Sequence, residues 1–344
     1  MSKKDKGTIY YRAWDNELEE RGGKQILRLP KKVVEGLEKK HYGVFGHSGV
    51  QICGWTKKSI RNQGVCYKEK FYGVDSHRCM EFSPAVMWCQ ENCSFCWRPM
   101  EFMKNIEIDP DKVDEPKEII DNLLEKRKKL LHGFKDHNVD KKTVDEIFSP
   151  SHFAISLSGE ATLYPKLDEM IGYLKNMKTT KSVFLVTNGQ EPSYFENIEN
   201  PPTQLYISLE APNKEIFDSI NRSLHNNGWE RLNKSLELLS KIDTRKVIRF
   251  TQIKGLNDTK NFYQNYKELF DKARADFIEI KAFMHLGNSQ MRHTKEEMPE
   301  FEEVLDFSKN LAEYTQNYDV VDAIPNSRIV LLKRKDTKYS VELE

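Results

Sequence analysis

The chain has 344 residues, of which 38% are hydrophobic and 31% charged, a polar composition that still supplies a large core. Its 54 Lys and Arg residues balance 53 Asp and Glu residues, so the net charge of +1 excludes a global field that attracts polyanions. No stretch reaches the ~18 consecutive apolar residues of a membrane span. No apolar segment follows the first residues as in a signal peptide, and we expect a cytoplasmic protein without membrane contact.

The N-terminal 75 residues show little periodicity beyond a short helical pattern at 31–40, which predicts an irregular extension. From about residue 80, short apolar segments rich in β-branched or aromatic residues alternate with helical patterns. The predicted strands are 81–88, 152–157, 182–186, 204–209, 246–253 and 277–283. The predicted helices are 116–131, 166–177, 214–221, 229–242 and 261–273.

Strands separated by helices indicate right-handed βαβ units and a parallel sheet. Six such units are too few to close an eight-stranded barrel, so the sequence predicts an α/β fold with a partial (β/α)6 TIM-like barrel. A helix at 301–314 and a short strand at 328–332 are predicted to follow it. We therefore divide the chain into an N-terminal extension at 1–78, a barrel core at 79–295 and a C-terminal extension at 296–344.

All six cysteines lie between positions 53 and 96, a clustering that indicates metal binding rather than disulfides in a reducing compartment. Cys89, Cys93 and Cys96 follow the first predicted strand with the spacing C-x3-C-x2-C. Three thiolates this close in sequence can hold an iron–sulfur cluster and leave one of its four irons open. A structural zinc site would need a fourth ligand, which His77 or Cys79 could supply.

A second cysteine set precedes this motif. Cys53, Cys66 and Cys79 are evenly spaced by thirteen residues. Free cysteines are often simply buried, but uniform intervals just upstream of a cluster motif favour a second metal site. The sequence therefore predicts two [4Fe–4S] clusters, each bound by three thiolates with one iron available to a ligand.

The spacing of Cys89, Cys93 and Cys96, with an aromatic residue before the last cysteine, resembles the signature of the radical S-adenosylmethionine superfamily. The resemblance implies that the amino and carboxylate groups of S-adenosyl-L-methionine chelate the open iron. One-electron reduction would then yield a 5′-deoxyadenosyl radical. Residues 158–162 resemble the Gly-Gly-Glu-Pro motif of the superfamily, although Ser158 and Ala161 depart from it.

The same resemblance implies cofactor contacts at the carboxyl ends of the strands, the face at which barrel enzymes keep their sites. The implied cofactor-binding residues are Ser158, Gly159, Glu160, Thr162, Asn188, Ser208 and Ile253. Taken singly, these residues are weak evidence for cofactor binding, because structural roles are also possible. Glu160 could be a carboxylate at the start of a helix, and Asn188 with the following glycine could be only a turn.

Both cysteine sets and their flanking segments resemble the tRNA 4-demethylwyosine synthase family in its stand-alone archaeal-type form. The segments that carry the resemblance are 78–85, 88–89, 96–99, 158–165, 206–209 and 279–284, within a similarity that runs from about residue 45 to 332. It implies a carbon–carbon lyase of wybutosine biosynthesis. The enzyme would condense N1-methylguanosine at position 37 of phenylalanine tRNA with two carbons of pyruvate to form 4-demethylwyosine.

The resemblance also implies an external flavodoxin- or ferredoxin-like electron donor, because the flavodoxin-like domain of eukaryotic relatives has no counterpart in this sequence. We expect a monomer. The second cluster would hold pyruvate or tune electron flow. A lysine imine with pyruvate is also considered for the family, and Lys68, between Cys66 and Cys79, is the matching catalytic candidate. The alternative is that Lys68 is a charge facing solvent.

Other side chains have two interpretations. Trp97, Tyr67 and Phe71 could stack on an extruded substrate base or pack in the core. Arg98 or Lys281 could pair with a carboxylate or phosphate, or with a neighbouring residue.

Two other functions of the whole protein stay open. One is a different two-cluster radical enzyme acting on a peptide or small molecule, and the other is a zinc-stabilised RNA-binding protein without catalysis.

Overall fold

The computed structural model describes residues 17–98, 107–134, 139 and 141–343. Residues 1–16 of the predicted extension, and Pro99 of the family-like segment 96–99, lie outside the described residues. The strands are β1 Glu17–Arg21, β2 Lys24–Arg28, β3 Tyr42–Phe45, β4 Ser48–Gln51, β5 Cys79–Ser83, β6 His152–Ile155, β7 Ser182–Thr187, β8 Gln204–Ser208, β9 Arg245–Gln252, β10 Phe277–Ala282, β11 Tyr318–Ile324 and β12 Ile329–Arg334. The α-helices are α1 Lys31–Glu38, α2 Gly54–Ile60, α3 Tyr67–Tyr72, α4 Pro116–Leu131, α5 Lys141–Ile147, α6 Leu167–Lys175, α7 Pro192–Glu196, α8 Lys214–Ile220, α9 Gly228–Leu239, α10 Tyr263–Ala273 and α11 Phe301–Thr315.

In this part of the chain, β3 to β12 form one sheet in the order β11-β12-β10-β9-β8-β7-β6-β5-β4-β3, and β1 and β2 form a separate hairpin. The six strands β5 to β10 are parallel neighbours. The strands β4 and β12 join this parallel set antiparallel, one at each end. The predicted partial barrel of six βα units is therefore confirmed.

The first barrel strand is shorter than predicted. It ends at Ser83 rather than continuing to residue 88. Pro84 follows directly, and a proline nitrogen has no proton to donate to a sheet ladder. The backbone therefore leaves the sheet at this point, and the cysteine-containing segment forms a loop at the carboxyl end of β5.

Two apolar cores lie on opposite faces of the sheet. The larger one packs the outer face against helices such as α4, which buries Ile119, Ile120 and Leu123. The smaller one fills the barrel interior. It joins residues of and beside α3 to inward-facing strand residues: Tyr67, Phe71, Tyr72, Val74, Phe184, Tyr206, Val247, Phe277, Ile324, Ile329 and Leu331. Helix α3 thus closes the interior of the open barrel.

The expectation of an irregular N-terminal extension was wrong. Strands β3 and β4 add to the barrel sheet, and α2 and α3 follow them. The C-terminal part likewise contains β11, which the sequence pattern did not reveal. These elements are short, and their apolar residues are buried by contacts distant in sequence, so local periodicity could not show them. The boundaries at residues 78 and 295 stay predictions.

Buried His47 joins the extension to the barrel. Its Nδ1–H donates to Pro84 O at 2.6 Å, and its Nε2 accepts from the Asp114 backbone N–H at 3.0 Å. This pairing requires a neutral ring, and burial lowers the pKa of His47 to about 4. Asp114 also forms an ion pair with Arg28 of β2 at 2.8 Å. The N-terminal hairpin, the start of the cysteine loop and the segment before α4 are therefore fixed to one another.

No helix in the described ranges is both long and apolar enough to traverse a lipid bilayer.

Candidate functional site

Cys89, Cys93 and Cys96 lie in the loop after β5, half-buried and without disulfide bonds. Burial raises the pKa of Cys89 and of Cys93 well above the usual range, and both are raised further by the charge of the Cys96 thiolate. The three thiols are thus electrostatic neighbours. Arg292 fastens this loop by donating to Ser94 O at 2.9 Å and to Cys96 O.

This donor set fits a cluster. Buried thiols ionise only when a cation compensates them, and iron would do so. In the described residues, no three His, Cys, Asp or Glu side chains converge closely enough to hold one metal ion. Iron and sulfide atoms separate the thiolates of a cluster, so this finding concerns sites for a single ion, such as the zinc site considered from sequence.

The loop after β6 packs directly on the cysteine loop. Ser158 Oγ donates to Val86 O at 2.8 Å, and the Glu160 N–H donates to Trp88 O at 2.6 Å. Between them, Gly159 has a φ of +71°, and a Cβ there would lie 2.7 Å from Trp88 O and still closer to Ala85 O. Only glycine therefore allows the two loops to approach this closely.

We expect Gly159→Ala to lower the free energy of unfolding by about 2–5 kcal/mol, since left-handed strain adds to a backbone clash. Gly255→Ala is the matched control. Its φ is +78°, but no atom lies within 4 Å of an added Cβ, so only the strain of about 1–2 kcal/mol should appear. Denaturant midpoints measured side by side without oxygen give the comparison. Equal losses in the two variants would contradict the close approach of the loops.

Buried Glu160 joins the carboxyl ends of β6 and β7. One carboxylate oxygen accepts from Thr162 N and Oγ1 at 3.1 and 2.7 Å, and the other accepts from the Asn188 N–H at 2.8 Å. Burial raises the pKa of Glu160, and the hydrogen bond from Asn188 opposes this shift. Asn188 Nδ2 also lies 3.8 Å from Cys89 Sγ. The structure therefore brings four predicted site residues together at one edge of the barrel.

The remaining two predicted cofactor contacts differ from each other in exposure. Ser208 is half-buried at the end of β8 and faces the barrel interior beside Arg249. Ile253 is fully buried in the larger core, and its N–H donates to Asn257 Oδ1 at 2.8 Å. The cofactor roles of both residues stay predictions.

Cys53, Cys66 and Cys79 come from three different elements. Cys53 precedes α2 and accepts from the Thr56 N–H, Cys66 precedes α3, and Cys79 begins β5. Burial raises the pKa of Cys66 to about 11, with the Cys53 thiolate contributing to the rise. The pKa of Cys79 is raised by burial and then by Cys53 and Cys66. The fold thus collects the three evenly spaced thiols into one electrostatic group.

The two cysteine triads lie near opposite ends of β5. Cys79 begins the strand, and the loop with Cys89 follows its last residue, Ser83. Four residue steps along a strand span roughly 13 Å. Glu81, midway along the strand, has its pKa raised by burial, with Arg98 and Lys68 opposing the shift. The length of β5 therefore separates Cys79 from the start of the loop that carries Cys89, Cys93 and Cys96.

Lys68 lies inside the barrel rather than facing solvent. Its Nζ is 4.5 Å from the ring centre of Phe184 and 4.9 Å from that of Tyr206. Its charge lowers the pKa of both Cys66 and Cys79, which places the amine beside the second triad. The positions of Lys68 and of the six cysteines agree with their proposed roles, which stay predictions.

The aromatic candidates separate into two groups. Tyr67 and Phe71 are buried in the barrel interior, which is the core-packing alternative. Trp97 is 51% exposed beside the first cysteine triad, with the Arg98 guanidinium 3.8 Å from its ring centre. Arg98 also donates to Tyr42 Oη within the protein. Trp97 is therefore the aromatic candidate available for stacking on a base.

The barrel contains a buried polar group around Glu279 that was not predicted from the sequence. Glu279 accepts hydrogen bonds from Tyr67 Oη at 3.0 Å, Tyr72 Oη at 2.8 Å and Tyr206 Oη at 3.2 Å. Arg249 Nη1 is 2.5 Å from Glu279 and 2.5 Å from Tyr67 Oη. A signal existed in the sequence, since charged residues at 249, 279 and 281 interrupt predicted buried strands.

Two further carboxyls were missed near the first triad. Glu91 accepts from Cys93 Sγ at 3.1 Å, and burial raises its pKa to about 8. Burial raises the pKa of Glu210 to about 7. Asn221 Nδ2 is 3.3 Å from each of these carboxyl groups. Their position depends on the loop after β5 meeting the segment after α8, which no local pattern predicts.

Comparison with known proteins decides the family. The sequence model of the Radical SAM superfamily matches residues 84–264, and the one described as wyosine base formation matches residues 272–334. The S-adenosyl-L-methionine-dependent tRNA 4-demethylwyosine synthase of Pyrococcus horikoshii is 41% identical over 313 residues, which cover 90% of each chain. This chain belongs to the tRNA 4-demethylwyosine synthase family.

Other 4-demethylwyosine synthases agree with this assignment. The Methanocaldococcus jannaschii protein is 39% identical over 323 residues, which cover 92% of this chain and 100% of the relative. A solved structure described as TYW1 with a lysine–pyruvate adduct bound has a TM-score of 0.81 and 36% identity, covering 92% of this chain and 99% of that chain. The family and fold predicted from sequence are confirmed.

In this member of the 4-demethylwyosine synthase family, the two matched segments contribute different residues to the candidate site. The radical segment contains Cys89, Glu160 and Asn188, whereas the wyosine segment contains Glu279 and Lys281. The second triad precedes both segments and meets them through α3 and β5.

Proposed function

We propose that the chain is a tRNA 4-demethylwyosine synthase. It would condense N1-methylguanosine 37 of phenylalanine tRNA with two carbons of pyruvate. The observation that carries the proposal is the placement of two thiol triads near opposite ends of β5, with Lys68 beside the second triad inside the barrel. The 41% identity to a protein named for this activity supports the same substrate.

Cys89, Cys93 and Cys96 would hold a [4Fe–4S] cluster that leaves one iron for S-adenosyl-L-methionine. The Glu160 carboxylate, fixed by Thr162 and Asn188, would accept a hydrogen bond from the methionine ammonium. The other proposed cofactor contacts are Ser158 and Gly159, next to Glu160 in the loop after β6, and Ser208 and Ile253, at the carboxyl ends of β8 and β9. When bound, cluster and cofactor supply a radical that removes hydrogen from the N-methyl group, so that this carbon can add to pyruvate.

Cys53, Cys66 and Cys79 would hold a second [4Fe–4S] cluster. The three thiols come from three elements at intervals of thirteen residues and still act on one another's pKa, which supports this proposal. The thiols that would hold it lie beside Lys68, and so border the space proposed for pyruvate. A role in holding pyruvate or in tuning electron flow is compatible with that position.

Lys68 would form an imine with pyruvate. Its neutral amine attacks the ketone carbon, the oxygen leaves as water, and the carbon becomes fixed beside the second triad. The faces of Phe184 and Tyr206 shield the amine, and this keeps water from the new bond. The lysine–pyruvate adduct in the solved relative of 36% identity supports this step.

The proposed reaction also requires a carbon–carbon bond cleavage and a source of electrons. Because two of the three carbons of pyruvate enter the base, one of its carbon–carbon bonds must break and the third carbon must leave as a one-carbon product, and this makes the reaction that of a carbon–carbon lyase. Reductive cleavage of the cofactor needs one electron, which a flavodoxin- or ferredoxin-like donor would deliver. We propose that the protein acts as a cytoplasmic monomer on its tRNA.

The deciding experiment incubates anaerobically reconstituted protein with S-adenosyl-L-methionine, dithionite, pyruvate and tRNA bearing N1-methylguanosine. Mass spectrometry of the nucleosides is expected to show the tricyclic base in place of methylguanosine. Unmethylated tRNA is the control and should give no product. Persistence of methylguanosine while 5′-deoxyadenosine forms would contradict this substrate and favour another radical enzyme.

A further inference from the structure

A second amine lies inside the barrel, at the carboxyl end of β10. Lys281 shares the inward face with Glu279, two residues before it, and is half-buried. Its Nζ donates to Ser327 O at 2.5 Å. Within residues 17–98, 107–134 and 141–343, no carboxylate forms an ion pair with it. An ammonium group carries three donors, so this cation has two left for a ligand.

The neighbouring charges do not neutralise Lys281. Glu279 lies on the same strand face as Lys281, but its carboxylate forms an ion pair with the Arg249 guanidinium instead. Burial lowers the pKa of Lys281 to about 8, with Arg249 adding to the shift and Glu279 opposing it. A buried cation without a counter-anion favours an anionic ligand.

Lys281 and Lys68 border the same thiol. The Cys66 thiolate raises the pKa of Lys281, and the Lys68 charge lowers that of Cys66. The two amines come from different parts of the chain, one from β10 and the other from α3. Each therefore approaches the second triad from its own element.

Glu279 holds these two elements together. It lies on β10 beside Lys281 and accepts hydrogen bonds from Tyr67 and Tyr72 of α3. A fully buried carboxylate with several donors fixes the helix relative to the strand, because losing any of these bonds leaves a buried polar group unpaired. The spacing between the Lys68 and Lys281 amines is thus set by the fold rather than by flexible side chains alone.

We propose that Lys281 binds the carboxylate of pyruvate while Lys68 bonds to its ketone carbon. The proposal rests on the proposed function. It assigns to Lys281 an ion pair only: no bond to Lys281 forms or breaks, and the water lost in imine formation comes from the ketone oxygen and the Lys68 amine. The pair would select a 2-oxo acid over a neutral ketone or aldehyde, since only the acid satisfies both amines.

The test measures binding of pyruvate and of neutral pyruvamide to anaerobically reconstituted protein by calorimetry, without S-adenosylmethionine or tRNA. Lys281→Met is expected to weaken pyruvate binding roughly 10- to 100-fold, as for loss of a charge-assisted hydrogen bond, and to leave pyruvamide binding unchanged. Lys281→Arg should keep most of the preference for pyruvate. Lys246→Met is the matched control, because this half-buried lysine of β9 also donates to a backbone carbonyl but faces outward.

Equal affinities of the Lys281→Met variant and the unaltered protein for pyruvate would overturn the proposal. The open iron of the proposed second cluster would then be the candidate ligand for the carboxylate. Equal weakening of pyruvate and pyruvamide binding would overturn it too, since the carboxylate would not be what Lys281 recognises. Iron content and circular dichroism matching the unaltered protein establish that the variant is folded. If the Lys281→Met variant does not fold, the same comparison is made with Lys281→Gln.

Borohydride trapping separates this proposal from the imine itself. The unaltered protein should gain one trapped pyruvate, and Lys281→Met should reach the same mass at higher pyruvate concentration. Failure of the unaltered protein to trap any adduct would remove the imine from the proposed function, while the calorimetric comparison still decides Lys281. An adduct that survives in Lys68→Met but disappears in Lys281→Met would overturn the assignment of the two amines.

Discussion

Replacement of Cys93 by alanine is expected to reduce 5′-deoxyadenosine formation to background, whereas replacement of Cys66 should leave it measurable and stop only the tricyclic product. The reason is that the two triads are separate. Cys93 belongs to the loop that meets Glu160 and Asn188, and Cys66 belongs to the group beside Lys68. Iron should fall by about four atoms per chain in each variant, because each loses one four-iron centre.

The measurement combines iron analysis, chromatography of deoxyadenosine and mass spectrometry of tRNA nucleosides. Ser59→Ala in α2 serves as the control, as it lies near the second triad in sequence without belonging to it. Loss of deoxyadenosine formation in Cys66→Ala would contradict separate centres. Undiminished tricyclic product in that variant would show that the second triad is not needed for the reaction.

Replacement of Lys68 by methionine should lower product formation by on the order of 10³-fold or more, since a covalent step is lost. Methionine keeps an unbranched apolar stem and makes favourable contacts with aromatic rings, so packing against Phe184 and Tyr206 should survive. Deoxyadenosine formation should continue, because the first triad is untouched. Borohydride trapping of pyruvate followed by intact-mass analysis checks the covalent step directly.

Lys70→Met is the matched control for this variant, because Lys70 lies on the same helix but is exposed. It should trap one pyruvate, as the unaltered protein does. A trapped adduct of normal yield in Lys68→Met would exclude Lys68 as the imine lysine. The amine of Lys281, which also borders Cys66, would then be the next candidate.

The same hydrogen bonds position the strand that carries Lys281 and the helix that carries Lys68. Glu279, Tyr67 and Tyr72 connect the strand that carries Lys281 to the helix that carries Lys68. That strand lies in the segment matched by the wyosine model, and the helix lies in the N-terminal extension. The proposed pyruvate site would therefore combine the N-terminal extension with the wyosine segment, and the radical segment lies between them in sequence.

The sequence by itself determined the parallel barrel and the first cysteine triad. Both depend on neighbours in sequence: alternating apolar segments predict βαβ units, and the spacing from Cys89 to Cys96 confines three thiols to one loop. The need for glycine at position 159 emerged only from the structure, in which the loops after β5 and β6 meet there. Helix α4 was predicted at its observed bounds, Pro116–Leu131.

Only the tertiary structure decided what surrounds Lys68. Its interior position, the grouping of Cys53 with Cys66 and Cys79, and the surroundings of Glu279 and Lys281 all arise from contacts between residues far apart in the chain. The N-terminal strands β3 and β4 were missed for the same reason. Local patterns encode backbone conformation, whereas the burial of a charge or thiol depends on which distant surfaces cover it.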